Sequence, residues 1–433
     1  MRRIAVVGSG ISGLATALRL SADAQVTLFE TGDHFGGHAH TVDVTLDGVT
    51  HGVDTGFLVF NHRTYPQLVK LFAELGVATA ASDMSFSVQA PASGLEWSGS
   101  DLGGVFAQRR NLVSPRFLSM LAQILRFNRL ATQLAVTAAD AELQEPIGDF
   151  LDRHRFGAAF REGYFLPMIG CIWSCPTDQM LRFPVATMIR FCHNHGLIQV
   201  ADRPQWHTVA GGSRHYVDAI VRRLADVRLR TPVQQVRRVP PGDGAAGVMV
   251  TSAGRSERFD EVVLACHSDQ SLALLADATA DERAVLGAVR YHANHAVLHT
   301  DTAMLPRRQR AWAAWNYERA PDAAREQAAV CLHYLINRLQ PLPWQRPVVV
   351  SLNPCREPDP ARVIGRYDYA HPVFDQAAIE AQRRLPEIQG GSHVWFAGAW
   401  TRYGFHEDGL MSALDVVDRM RRAWAGAPLA AAA

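Results

Sequence analysis

Lysine is nearly missing from this chain. Lys70 is the only one, and arginine carries almost all the positive charge. Chemistry that needs a lysine therefore rests on Lys70, and TYPQLVKLFAELG around it reads as a surface helix. Long apolar runs are missing too: beyond the N-terminus, none reaches the roughly 18 residues that a membrane span requires. Net charge is small, +1, so no global field recruits nucleic acid. Six cysteines form no C-x-x-C pair, which argues against a disulfide framework in so long a chain. Cys171, Cys175, Cys192 and His195 fit no common zinc spacing and read as buried thiols around a histidine, so no metal is expected. No internal repeat is present. Residues 102–139 contain no acid at all.

What is present is ordinary for an enzyme of two domains: 433 residues, 48% hydrophobic and 20% charged. MRRIAVVGSGISGLATALRL opens like a signal peptide, with Arg2 and Arg3 before an apolar run. Its glycines explain the run better. Ile4–Val7 reads as a strand, Gly8, Gly10 and Gly13 form G-x-G-x-x-G, and Leu14, Ala17 and Leu18 begin a helical pattern. Gly8 allows a tight turn, and Gly10 lets backbone N–H groups meet a pyrophosphate. Gly13 lets the helix lie close to the strand. Ile11 and Ser12 lie at the helix start, whose positive end favours phosphate. A second strand, QVTLFE, ends in Glu30, where a carboxylate can accept hydrogen bonds from a ribose. A cytoplasmic protein is expected.

After Glu30, ETGDHFGGHAHT places Gly36 and Gly37 just beyond the acid. This resembles the E-x5-G-G-R-x-x-T signature of the FAD-dependent amine oxidase and phytoene desaturase superfamily. His38 stands in place of the arginine, while Thr41 is kept; Ala24 replaces a usual glycine. The likeness continues along the chain. HGVDTGFLVFN resembles the segment beside the flavin, which makes Thr55, Gly56 and Phe57 contacts. In VRLRTPVQQVRRV, Val233 and Val236 resemble the pair at the adenine. HVWFAGAWTRYGFHEDGLMSALDVV resembles the last strand and helix, whose N-terminus points at the flavin pyrimidine in that superfamily. Gly398, Gly409, Leu410 and Met411 are then cofactor contacts. The helix is expected to start near Gly409 with Asp408 as N-cap. His406 and Glu407 precede it. They are candidate general acids or bases, or they brace the loop, with Arg402 as an ion partner.

The resemblance implies an α/β fold: a Rossmann-like FAD-binding domain with an interleaved α+β substrate domain. FAD parts are expected at 1–80, 205–270 and 390–425, substrate parts at 81–204 and 271–389, and a frayed tail at 426–433. The stretches 239–247 and 318–327 read as exposed turns. NHGLIQV, WNYERA, INRLQPL, SLNP and GFHEDGL resemble one bacterial branch that often accompanies cyclopropane-fatty-acid synthase-like methyltransferases. That implies a lipid or small apolar substrate and a functional link to a fatty-acid-modifying methyltransferase.

Ser114 and Pro115 should start a helix in the acid-free segment. Phe117, Leu121, Ile124, Phe127, Leu130 and Leu134 recur along it, with Arg116, Arg126 and Arg129 as its charges. It is either a core helix or, through residues 115–137, a peripheral contact at the inner membrane surface. The apolar stretch 163–200 is either a substrate tunnel or core.

The leading reading is an FAD-dependent oxidoreductase acting on a fatty-acyl chain or membrane lipid. Its rivals are a flavin-dependent amine oxidase and a non-catalytic flavin- or lipid-binding protein. Purified protein should be yellow and release FAD on acid precipitation, because no attachment residue is evident. A colourless protein that takes NAD even after reconstitution with FAD would overturn the cofactor assignment.

Overall fold

Ile4–Val7 lies at the middle of a five-stranded parallel sheet in the computed structural model, which describes residues 1–173, 177–199, 203–240, 246–322 and 329–426. Cys175, the middle of 239–247, half of 318–327 and the tail from 427 lie outside the described residues. The strand order is Asp226–Arg228, Ala24–Phe29, Arg2–Val7, Glu261–Leu264, Val394–Phe396. A parallel sheet needs cover on both faces, and the alternation of strand side chains supplies it. Ile4 and Val6 join one core cluster, with the first helix, Ile11–Leu20, and the last helix, His406–Trp424. Ala5 and Val7 join a second cluster, beneath the antiparallel strands Val233–Arg238, Val248–Ser252 and Arg255–Phe259.

A second, larger sheet has seven strands, ordered Val363–Val373, Arg290–His299, Val349–Leu352, Cys331–Leu335, Trp315–Glu318, Phe86–Ala90, Leu95–Ser98. Every pairing is antiparallel except that of Trp315–Glu318 with Phe86–Ala90. Its strands come from stretches that alternate with those of the parallel sheet, so the chain passes repeatedly between the two. We propose that 1–80, 205–270 and 390–425 form the FAD-binding domain and 81–204 and 271–389 the substrate domain; the strand Thr79–Ser82 straddles the first boundary.

One face of the large sheet holds a buried polar seam that the sequence does not announce. The Asp301 N–H donates to His299 Nδ1 at 3.0 Å, which leaves the proton of His299 on Nε2. That proton goes to Ser351 Oγ at 2.7 Å, and the serine hydroxyl in turn donates to His333 Nδ1 at 2.7 Å. His333 Nε2 then donates to the Glu318 carboxylate at 3.0 Å. One backbone amide thus sets two imidazole tautomers in sequence, and each buried side-chain polar atom of this seam has a partner.

The helix that Ser114 and Pro115 predict runs Pro115–Thr137, with Ser114 Oγ accepting from the Phe117 N–H at 3.4 Å. Its core face is displaced from the predicted stripe. Phe117, Met120, Phe127, Ala131 and Ala135 are buried, whereas Leu121, Ile124, Leu130 and Leu134 are half-buried along the flank. The small alanines let the helix sit closer to its neighbours than the larger residues would. In 163–200, Phe165, Ile169, Met188, Ile189 and Cys192 are 0% exposed and belong to the core. Phe191 and His195 face the lead-in to the last helix, with ring centroids 4.5 Å and 5.9 Å from Phe405.

Candidate active site

Two helix starts meet at one end of the parallel sheet. Ser12 Oγ donates to the Gly409 carbonyl at 2.8 Å. A Cβ on Gly409 would press against Ile11 and Ser12 at 2.8 and 2.9 Å, so only glycine allows this approach. The turn before the first helix is equally tight. A Cβ on Gly13 would overlap the Gly8 carbonyl oxygen, and one on Gly8, whose φ is +98°, would lie 2.9 Å from the Ala265 carbonyl. Gly10 differs from both: nothing lies within 4 Å of where its Cβ would be. The space above Gly10 is the cradle that a pyrophosphate needs.

Glu30 closes one side of this cradle. One carboxylate oxygen accepts from the Ser9 N–H at 2.9 Å and the Ser9 hydroxyl at 2.5 Å, the other from the Gly32 N–H at 2.8 Å. Ser9 was not predicted; it sits between two glycines and anchors the acid. Gly36 donates to the Ser9 carbonyl at 3.1 Å, and Gly37 lies against the Gly10 Cα, so the second glycine pair abuts the first turn. The loop of Thr55, Gly56 and Phe57 pairs with the loop that carries His38. The Phe57 N–H donates to the His38 carbonyl at 2.7 Å, and a Cβ on Gly56 would overlap that same oxygen.

Several expectations are corrected. The last helix starts at His406, not near Gly409, and Phe405 is its N-cap. Asp408 is the third helical residue, and its carboxylate accepts from the Phe405 N–H at 2.9 Å. Leu410 and Met411 therefore lie in the second turn, where their amides bond within the helix. The free amides belong to His406, Glu407 and Asp408. Glu407 does not face the cleft. Its two oxygens accept from the Gln67 and Leu68 N–H groups at 2.8 and 2.9 Å, capping the helix Pro66–Leu75. Arg402 pairs with Asp415 instead, at 3.0 Å. Val236 is 0% exposed and its carbonyl accepts from the Ala276 N–H at 3.0 Å, so it has no surface left for adenine; Val233 is the half-buried member of that pair. Gly398 is buried, and its N–H donates to Ser412 Oγ at 2.9 Å, which removes it as a contact. Thr41 is used structurally: its hydroxyl donates to Asp54 at 2.5 Å.

Asp54 is a residue that the sequence reading missed. It is 1% exposed and accepts from Thr41, Ser213 and Gln340, joining four segments below the cleft. Burial pushes its carboxyl up to about 6, against the pull of these donors.

His406 is placed differently from Glu407. Its ring stacks on Phe57 at 3.9 Å between centroids, and its Nε2 shares a 2.7 Å hydrogen bond with Tyr216 Oη. Burial pushes it down to about 3, with His38 a lesser cause. His38 is also neutral: burial, then repulsion from His267, lowers it to about 4. Its Nε2 is buried without a partner, an orphaned polar atom beside the cradle. Around it stand Tyr369 and His371, with centroids at 5.2 and 5.3 Å. Burial drives His371 down to about 3 and His40 to about 4. The Tyr369 hydroxyl meets Thr55 Oγ1 at 2.7 Å and His40 Nδ1 at 3.0 Å. The signal for this wall lies in RYDYAHP, where Tyr367, Tyr369 and His371 alternate on one face of the strand Val363–Val373.

Open space over Gly10, a carboxylate at the end of the second strand, an unpartnered imidazole nitrogen and free amides at a helix start together fit a flavin dinucleotide. The flavin containing amine oxidoreductase family matches residues 11–297. The chain belongs to that family. It is an FAD-dependent oxidoreductase, with an amine-oxidase-type FAD-binding fold. Solved structures share the fold over nearly the full length. The CLA-producing fatty acid isomerase from P. acnes is 16% identical, with a TM-score of 0.67 and coverage of 96% of this chain and 98% of its own. A putative protoporphyrinogen oxidase from Exiguobacterium sp. 255-15 is 18% identical, with a TM-score of 0.68 and coverage of 97% and 98%. Cyclohexylamine oxidase from Brevibacterium oxydans IH-35A is 15% identical, with a TM-score of 0.67 and coverage of 97% and 100%. No curated protein matches the chain in sequence.

Two predictions follow from the packing and the protonation states. Gly10→Val should fold and lose FAD, since its Cβ enters the cradle with no protein atom within 4 Å. Gly13→Ala should lose at least about 2 kcal/mol of stability by forcing the helix from the turn. Denaturant titration and flavin absorbance separate the two, and full FAD occupancy in Gly10→Val would show the nucleotide to be misplaced.

The second concerns pH. His38, His40, His371 and His406 are held below the ordinary 6.5, so the unfolded chain binds more protons between about 4 and 6.5. Their contribution is complete above 6.5 and is lost as pH falls toward 4. Asp54 and Asp408, each pushed up to about 6, act oppositely but are fewer. The melting midpoint of the flavin-free protein should fall steadily from pH 6.5 to 4.5 in calorimetry. A level midpoint would mean that these rings are not held neutral by the fold.

Proposed function

We propose that this oxidoreductase removes a hydride from an apolar substrate, a fatty-acyl chain or membrane lipid, with FAD as the acceptor. One observation carries the reading. The rings gathered at the start of the last helix are uncharged, Phe57 against His406 and Phe405 against Phe191 and His195, while Glu407 turns away to the Gln67 and Leu68 amides and Asp408 to the Phe405 amide. Burial holds His195 down to about 4, as it holds His406 down to about 3. Such a bed suits a C–H bond of an apolar chain and gives a charged head nothing to pair with. The fatty acid isomerase among the similar structures supports the acyl class.

When bound, FAD supplies hydride chemistry at its N5. Ser9 and Glu30 would hold the ribose end, the turn around Gly10 the pyrophosphate, and the first amides of the last helix the pyrimidine edge. Those amides favour the negative charge that reduction brings, by up to about 2 kcal/mol in partly buried geometry. His406, hydrogen-bonded to Tyr216, orients substrate or handles a proton. Glu407 braces the last helix against the helix Pro66–Leu75. Lys70 is exposed on the latter helix, so no lysine serves the site.

An amine substrate is the second reading. The family name and the stacked Phe57–His406 pair favour it, since paired rings can hold a neutral amine. We also propose the functional link to a fatty-acid-modifying methyltransferase.

Anaerobic stopped-flow separates these classes. Fatty acids and phospholipids should bleach the flavin, and aliphatic amines should not; bleaching by amines alone would overturn the acyl reading. With the substrate that works, His406→Ala should slow reduction by about 10²-fold or more and keep FAD. Glu407→Gln should reduce at near wild-type rate and lose about 1 kcal/mol of stability. Lipid mass spectrometry of cells with and without the gene identifies the product.

A further inference from the structure

Ten large apolar side chains are exposed among the described residues, and six of them lie between 102 and 136: Leu102, Leu112, Val113, Leu118, Leu125 and Val136. Leu102 and Val113 are about four-fifths exposed, at 78% and 80%. Scattered exposed apolar residues need no explanation, but a concentration of them does. Within the helix Pro115–Thr137 the outward positions Leu118, Ala122, Leu125, Arg129, Gln133 and Val136 follow three- and four-residue steps. They form one stripe about 27 Å long at 1.5 Å per residue. This stripe is separate from the core face of Phe117, Met120, Phe127 and Ala131.

The charges of the same segment have one sign. No acid occurs from 102 to 139. Arg109 and Arg129 are exposed and carry no ion pair among the described residues. Arg126 is occupied, lying 4.2 Å from the Phe156 ring centre and donating to the His154 carbonyl, and Arg116 sits 3.8 Å from Glu162. Behind the first turn lies a cavity of about 310 Å³. Val88, Leu95, Phe117 and Met120 form its apolar wall, and Arg110, Arg116 and Arg319 line it with one acid, Glu162, which is paired with Arg116 and Arg319. Leu95 and Val88 belong to the two strands at the far edge of the large sheet from Tyr369. At about 4.8 Å per strand, that edge is about 25–30 Å from the histidine wall, so the cavity is not the cofactor cleft.

We propose that residues 102–136 form a docking surface for an anionic lipid bilayer, with the basic helix lying in the plane of the interface. Exposed leucines and valines enter the boundary between headgroups and acyl chains, and unpaired arginines meet the lipid phosphates. The acid-free charge pattern selects this partner over a second copy of the chain, since like-charged arginines would then face each other. The cavity behind the helix gives a lipid chain an apolar recess, where a flat protein partner would leave it empty. No helix among the described residues is long and apolar enough to cross a membrane, so the contact is in-plane.

Vesicle co-sedimentation of the FAD-loaded full chain tests this without any turnover, so its outcome is independent of the acyl substrate. Wild type should sediment with vesicles of phosphatidylcholine mixed with phosphatidylglycerol, and much less with phosphatidylcholine alone or at high salt. Arg109→Gln/Arg129→Gln should lower partitioning about 25-fold, at roughly fivefold per basic residue. Leu118→Ser/Leu125→Ser should lower it at least about tenfold. Both variants alter exposed side chains and should keep the flavin absorbance of the wild type. Wild type that stays in the supernatant, or variants that sediment equally with it, would overturn the proposal. A dimer that Leu118→Ser/Leu125→Ser splits, with no vesicle binding, would assign the face to a contact between copies instead.

Discussion

The contact between Ser12 and Gly409 is the constraint on which the rest of the site depends. It joins the first turn of the first helix to the first turn of the last, 397 residues apart in sequence. A side chain on Gly409 would push them apart. Because both helices run from the same end of the parallel sheet, closing this gap points two positive helix ends at one space. The cradle over Gly10 and the free amides of the last helix are then parts of a single cofactor cleft.

Other ties hold the cleft in place. Glu407 extends from the last helix to cap the helix Pro66–Leu75. Asp54 gathers Thr41, Ser213 and Gln340 beneath the loop that carries Thr55 to Phe57. Both acids are buried and satisfied by donors from distant segments, which makes them costly to lose and useless as proton carriers to the cleft. His406 differs from both: its hydrogen bond to Tyr216 and its stacking on Phe57 fix the ring without giving it a charge.

The replacement of a superfamily arginine by His38 shapes the electrostatics. An arginine would remain charged wherever it sat, but a histidine surrounded by His267, His371 and Tyr369 gives up its proton to burial and to its neighbours. The cleft wall is therefore a set of neutral rings, consistent with an apolar substrate on the other side of the cofactor. Two exposed arginines without an ion pair among the described residues, Arg109 and Arg129, lie elsewhere, in the acid-free segment.

Local pattern alone determined much of this. Glycine spacing, an apolar strand before it and an acid at the end of the next strand specify the nucleotide turn, because each requirement is met within thirty or so residues. The Ser114–Pro115 start of the basic helix is equally local. Tertiary structure decided what depends on partners far away. Nothing in GFHEDGL shows that Glu407 points to Gln67 while His406 points to Tyr216, since adjacent residues on a helix diverge by about 100°. Val236 reads like an adenine contact, yet the neighbouring sheet and Ala276 bury it entirely. The stripe of the basic helix was visible, but its core side was set by which residues left room for the neighbouring helices. Its exposed side emerged only as what those neighbours did not cover.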